Sequence, residues 1–184
     1  MSGDPGMVFY AMKVRASGFV LGPLTEEAVR AELQNLRHTE RKRKTLLRIC
    51  CFGKFEAYKD DNIVKFSRSL SKEVFAYLVD RLGAGCTVQE ICSVIWENRP
   101  VGTNLKSQCR VVLSSLRKDL EQAGAGEVLI KGRNFWAVDT DRISCDYYDY
   151  LNDIDDMYNG EYMSQYSWAE NTSGRLYQIA VNRE

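Results

Sequence analysis

Asn104–Gln122 reads NLKSQCRVVLSSLRKDLEQ. Leu105, Cys109, Leu113, Leu116 and Leu120 recur at helical spacing and predict a narrow apolar stripe facing a core. The opposite face carries Lys106, Ser107, Gln108, Arg110, Ser114, Ser115, Arg117 and Lys118, and the first carboxylate met along it is Asp119. On pattern alone an ordinary solvated amphipathic helix explains the stretch, and that reading leads until the surroundings are read. A helix that is apolar behind and basic-plus-amide in front also suits a DNA major groove. There Lys and Arg neutralise phosphates, while Arg or Gln reads base edges with paired hydrogen bonds.

Working outward, Leu46 begins a run of short β segments, LRICCFG, FEAYK and IVKF, separated by Gly53 and by Asp60-Asp61-Asn62. They predict a small antiparallel sheet. A first helix is expected from Ser69 to Leu82, with Val74, Phe75, Leu78 and Leu82 on its buried side. Thr87-x-x-Glu90 is a capping box that opens a second helix, Val88–Asn98. Pro100 and Gly102 turn the chain into the basic helix, and Gly124 and Gly126 stop it. VLIK, the turn Gly132-Arg133-Asn134 and FWAVD then predict a hairpin carrying Lys131 and Arg133. Sheet, three helices and hairpin in that order give an α+β fold of winged helix-turn-helix type. Its third helix would enter the major groove, and its hairpin wing would lie on the neighbouring backbone or minor groove. Trp96 and Trp136 read as core.

The chain is 184 residues long, with 45% hydrophobic and 27% charged residues, ordinary for a globular protein. No stretch approaches the roughly 18 consecutive apolar residues of a membrane span, so no membrane association and a cytoplasmic location are expected. Lys and Arg total 25 and so do Asp and Glu, but the balance hides segregation. Residues 37–48 hold six basic side chains against Glu40 alone, whereas Asp139 to Glu170 holds nine carboxylates and Arg142. Such segregation suits a nucleic-acid surface beside a protein-docking surface; chance clustering on solvated faces is the bland alternative. Six cysteines without any Cys-x-x-Cys, and His38 as the single histidine, argue against zinc and against a Cys–His nucleophile. Reduced thiols in a core are expected, with no cofactor and no metal. Asp153, Asp155 and Asp156 lack the spacing and glycine of a calcium loop, and no phosphate-cradling glycine loop is present, so an enzyme is not expected.

Several blocks together carry a resemblance: CFGKFE at 51–56, SKEVFAYLVDR at 71–81, ICSVIW at 91–96, KSQCRVVLSSLRKDL at 106–120 and VLIKGRNFWAVD at 128–139. Residues 46–143 resemble the winged-helix effector domain of OmpR/PhoB-class response regulators, and more closely its SARP-like branch. In that branch a bacterial transcriptional activator domain follows. CDYYDYL and YNGEYMSQYSWAE resemble the opening of that domain, assigned to residues 144–184. Residues 10–37 resemble the last strand and helix of a receiver domain, with Gly22-Pro23 where receivers usually have Lys-Pro. The organisation expected is a flexible leader at 1–7, a receiver-like remnant at 8–38, a basic linker at 39–45, and the two segments just named.

The resemblance implies a sequence-specific regulator of transcription bound to double-stranded DNA. It would act as a homodimer on direct repeats, with RNA polymerase as a further partner. By position Ser107, Arg110, Val112, Ser114, Ser115 and Arg117 fall where relatives contact DNA, and Lys131 and Arg133 fall on the wing. Relatives often carry arginines where this chain has Ser114 and Ser115, which shifts expected base readout to Gln108 and Arg110. The second function class left open is a protein-interaction module that docks partners through the acidic, aromatic tail and the receiver-like segment.

Overall fold

The computed structural model divides into two units, Met1–Arg43 and Lys44–Glu184. It describes Thr25 and residues 45–154 and 157–183. The leader, the receiver-like segment and nearly all of the basic linker therefore lie outside the described residues, as do Asp155 and Asp156; Thr25 itself is exposed.

The second unit is mixed α and β. Strand β1 (Leu47–Cys50) alternates as its sequence dictates, with Leu47 and Ile49 buried and Arg48 exposed. It pairs antiparallel with β2 (Glu56–Lys59), which pairs with β3 (Asn62–Ile63). The two residues between β2 and β3, Asp60 and Asp61, have φ of 47° and 63°. A two-residue hairpin whose twist matches its strands needs that conformation at both positions, and Asp tolerates it.

Helix α1 (Ser69–Asp80) supplies Val74, Phe75 and Leu78 to the core. The helix stops before Leu82, contrary to the expected end. Leu82 and Gly83 take φ of 54° and 81°, which turns the chain off the helix axis and leaves Leu82 45% exposed. In α2 (Val88–Ile95) the capping box forms as read. The Glu90 N–H donates to Thr87 Oγ1 at 3.2 Å, and the Thr87 N–H donates to Glu90 Oε2 at 2.7 Å. This helix is also shorter than expected. Pro100 cannot donate to the Trp96 carbonyl, so Arg99 takes it instead at 2.9 Å and the chain tightens into a turn.

Helix α3 (Thr103–Gln122) buries Leu105, Cys109, Leu113, Leu116 and Leu120, the predicted stripe. Val112 and Asp119 are buried with them, and neither belongs to the exposed face. Asp119 accepts the Ser67 N–H and hydroxyl, both at 3.1 Å, and so ties α3 to the segment entering α1. Val112 is 4% exposed whereas its neighbour Val111 is 52% exposed. Val112→Ala is therefore expected to cost about 2 kcal/mol, from two missing methyl groups and a residual cavity. Val111→Ala should shift the urea unfolding midpoint hardly at all. Equal midpoints for the two variants would contradict this placement.

After α3, β4 (Leu129–Lys131) and β5 (Trp136–Val138) form a hairpin. Trp136 also exchanges two backbone hydrogen bonds with Cys86, both 2.8 Å, which fastens the hairpin to the chain just ahead of α2. The chain then returns to the first sheet as β6 (Ile143–Cys145), parallel to β1. The sheet order is β3-β2-β1-β6, so the sheet is mixed rather than wholly antiparallel.

Beyond β6, α4 (Asp146–Leu151) ends before Ile154, which is 72% exposed. Residues 161–165 then run along 51–55. The Met163 N–H donates to the Cys51 carbonyl at 2.8 Å and Ser164 to the Gly53 carbonyl at 2.9 Å. The Gln165 side chain accepts the Phe55 N–H at 3.0 Å and donates to its carbonyl at 3.3 Å, as a neighbouring strand would. Helix α5 (Glu170–Arg183) closes the unit. Among the described residues no helix is long and apolar enough to cross a membrane.

Candidate nucleic-acid interface

The hairpin stands beside the polar face of α3, and between them runs a groove of about 470 Å³. Four side chains of α3 line it, Lys106, Arg110, Ser114 and Arg117. Their spacings of four, four and three residues stack them along one line of the helix. Lys131 and Arg133 face them from the hairpin. The structure thus brings together six of the ten residues singled out in the sequence. Among the described residues no carboxylate lines the groove.

Side-chain partners orient some of these cations. Lys106 Nζ donates to Gln89 Oε1 at 3.0 Å, which fixes it against the start of α2. Arg117 Nε donates to Glu121 Oε1 at 2.7 Å, an exposed pair one helical turn apart. Lys131 Nζ lies 5.4 Å from the centroid of the Trp136 ring, within reach of its π face. Arg110 is exposed on the face between these groups, and Arg133 is exposed in the hairpin turn.

The other four predicted residues do not line the groove. The Ser107 hydroxyl donates back to the Thr103 carbonyl at 3.0 Å, and Gln108 Oε1 accepts from Arg99 at 3.2 Å. Ser115 is half-buried and Lys118 is exposed. Together with exposed Val111 they occupy the remaining outer surface of α3. Val112, placed at a contact position by the resemblance, points into the core instead.

Seven further residues line the groove, among them two aromatic ones that the sequence did not mark as site residues. Trp136 is half-buried and lines the groove while packing on the core. Phe135 is 40% exposed. Glycine explains where the Phe135 ring sits. A Cβ built on Gly132 would lie 2.2 Å from Phe135 Cε1, and one on Gly85 would lie 2.9 Å from Cδ2. Only residues without a side chain let the ring settle against both loops.

Elsewhere, Cys51, Cys145 and Asp146 bring donor atoms within 4.8 Å of one another. The two thiols are buried with their sulfurs 3.5 Å apart, and burial pushes the Cys51 thiol far above its ordinary range. Asp146 is already engaged, accepting N–H groups from Cys51 at 2.8 Å, Phe52 at 3.1 Å and Tyr147 at 2.7 Å. Its carboxylate ties the β1 and β6 ends together, and the donor set does not fit a metal. In α3, burial raises the Cys109 thiol to about 12, which leaves it protonated and inert at neutral pH.

No protein-family model matches the chain, and no curated protein matches it. Among solved structures it is similar to Mycobacterium tuberculosis EmbR in complex with low affinity phosphopeptide. That likeness covers 54% of this chain and 27% of the other, at 20% identity and a TM-score of 0.46. The matched region thus spans about a quarter of that protein.

Proposed function

We propose that the chain is a winged helix-turn-helix regulator of transcription that binds duplex DNA sequence-specifically. In this reading α1 and α2 support α3, which enters the major groove, while the β4–β5 hairpin serves as the wing on the adjacent backbone. The observation that carries it is the cationic groove between α3 and the hairpin, which no carboxylate lines among the described residues. Duplex DNA presents one phosphate charge per roughly 1.7 Å of its axis, and a row of such cations on two separate elements can follow it. The reading extends to a cytoplasmic regulator of the response-regulator type, acting as a homodimer with RNA polymerase as a partner and without catalysis of its own.

Within this arrangement Arg110 is the base reader. It is the one arginine on α3 with neither a carboxylate nor an amide partner among the described hydrogen bonds and ion pairs, and its fork can face two acceptors of guanine. Arg110→Ala is expected to cost about 1–3 kcal/mol at a selected site and to relax sequence preference there. Equal affinity of variant and wild type for that site would remove Arg110 from base readout.

The deciding experiment is selection from a random duplex library at about 0.15 M salt. An enriched repeat with half-sites about one helical turn apart supports the proposal. Uniform, weak binding with no enrichment defeats it. The competing reading, a protein-docking tail, is weakened by where the aromatic side chains lie. Tyr147, Tyr150 and Tyr162 are each no more than 2% exposed and are taken up by the unit's own core.

A further inference from the structure

Phe135 is a large apolar ring left 40% exposed at the mouth of a cationic groove, and it is seated against backbone rather than in a core. Gly85 and Gly132 provide the seat, since a Cβ at either would drive the ring away. The cost is two glycines whose extra chain entropy folding must overcome. A ring held this way offers a flat apolar face beside Arg110, Lys131 and Arg133. Bases within an intact duplex are stacked on one another and present only their edges, so a duplex gives such a face nothing to stack on. A ligand that matches both features has a planar base and several negative charges in one small molecule. The groove volume of about 470 Å³ lies within the roughly 300–1,000 Å³ range of small-molecule sites.

We propose that this groove binds a free nucleoside di- or triphosphate, its base stacked on Phe135 and its phosphates held by Arg110, Lys131 and Arg133. Charge alone would bind any polyanion, so the aromatic face is what makes the site selective for a nucleotide. The same cations would serve the DNA backbone, so nucleotide and duplex exclude one another. That competition rests on the DNA-binding reading; nucleotide binding itself does not. The nucleotide would then act as an effector that releases the protein from DNA.

The test uses isothermal titration calorimetry on the full chain at constant ionic strength, with ATP, inorganic triphosphate and adenosine as probes. ATP is expected to bind about tenfold more tightly than triphosphate, the scale of stacking one base on an aromatic ring. Phe135→Ala should abolish that preference while leaving triphosphate binding unchanged, and Phe135→Leu, which keeps apolar volume, should abolish it too. Arg110→Ala should weaken both anions. Equal binding of ATP and triphosphate by the wild type overturns the proposal, as does a preference that survives in both Phe135 variants, or failure of both anions to bind. A labelled duplex in competition separates the two readings. ATP binding without any duplex binding defeats the DNA reading and leaves the nucleotide site standing. Duplex binding that bound ATP does not displace defeats the competition and places the duplex away from this groove, leaving the nucleotide site standing.

Discussion

A chain ending at Cys145 is expected to lose its cooperative fold. The residues removed include Tyr147, Tyr150, Tyr162, Met163 and Leu176, all buried to 2% exposure or less. At about 1.5–3 kcal/mol for each large apolar side chain, their burial contributes on the order of 10 kcal/mol. That is comparable with the roughly 5–15 kcal/mol total stability of an ordinary domain. Removal would also uncover what they cover. Phe52 lies edge-on to Tyr150 at 5.8 Å, Tyr77 lies edge-on to Trp168 at 5.5 Å, and Phe55 loses the Gln165 amide that pairs its backbone. The chain just after β1 loses its anchor as well, since Asp146 collects the N–H groups of Cys51 and Phe52 there. Near-ultraviolet circular dichroism and a thermal melt read the outcome. A truncated chain that melts cooperatively within a few degrees of the full one would mean the tail is an accessory rather than part of the core.

The second large effect concerns the groove. Replacing Lys106, Lys131 and Arg133 together by alanine should lower the slope of log affinity against log salt by about 2.7, at roughly 0.9 for each phosphate no longer neutralised. At 0.15 M salt, binding to any duplex should weaken on the order of a hundredfold. All three side chains are exposed or half-exposed, so the melting temperature should hardly move. Fluorescence anisotropy with an arbitrary duplex across a salt series measures both quantities. An unchanged slope would show that these cations do not meet phosphate, and would sink the assignment of this face to nucleic acid.

Much of the middle of the chain is legible in its sequence because the signals are local. The capping box at Thr87 and Glu90 needs only four residues, and the apolar stripe of α3 needs only helical periodicity. Ends are less legible. Leu82 fits the apolar period of α1, yet the chain reverses before reaching it because Leu82 and Gly83 adopt positive φ. Asp119 reads as surface because a carboxylate is seldom buried without a partner. Ser67, 52 residues away, satisfies it with two hydrogen bonds that no local pattern announces. Val112 shows the limit of carrying positions over from a resemblance, since a shift of one residue on a helix rotates a side chain by about 100° from surface to core.

The candidate site divides the same way. Periodicity alone puts Lys106, Arg110, Ser114 and Arg117 on one polar face, and turn chemistry puts Lys131 and Arg133 in a hairpin. Both follow from residues within a few positions of each other. That these two sets face each other across a groove was decided by tertiary structure. Trp136 bonds to Cys86, 50 residues earlier, and that pairing sets the hairpin beside α3. The parallel return of β6 to β1 and the burial of the acidic tail's tyrosines were decided there too. Composition marks that tail as polar and surface-seeking. The core nevertheless needs its rings to cover Phe52 and Tyr77, and packing across some hundred residues leaves no period in the sequence to read.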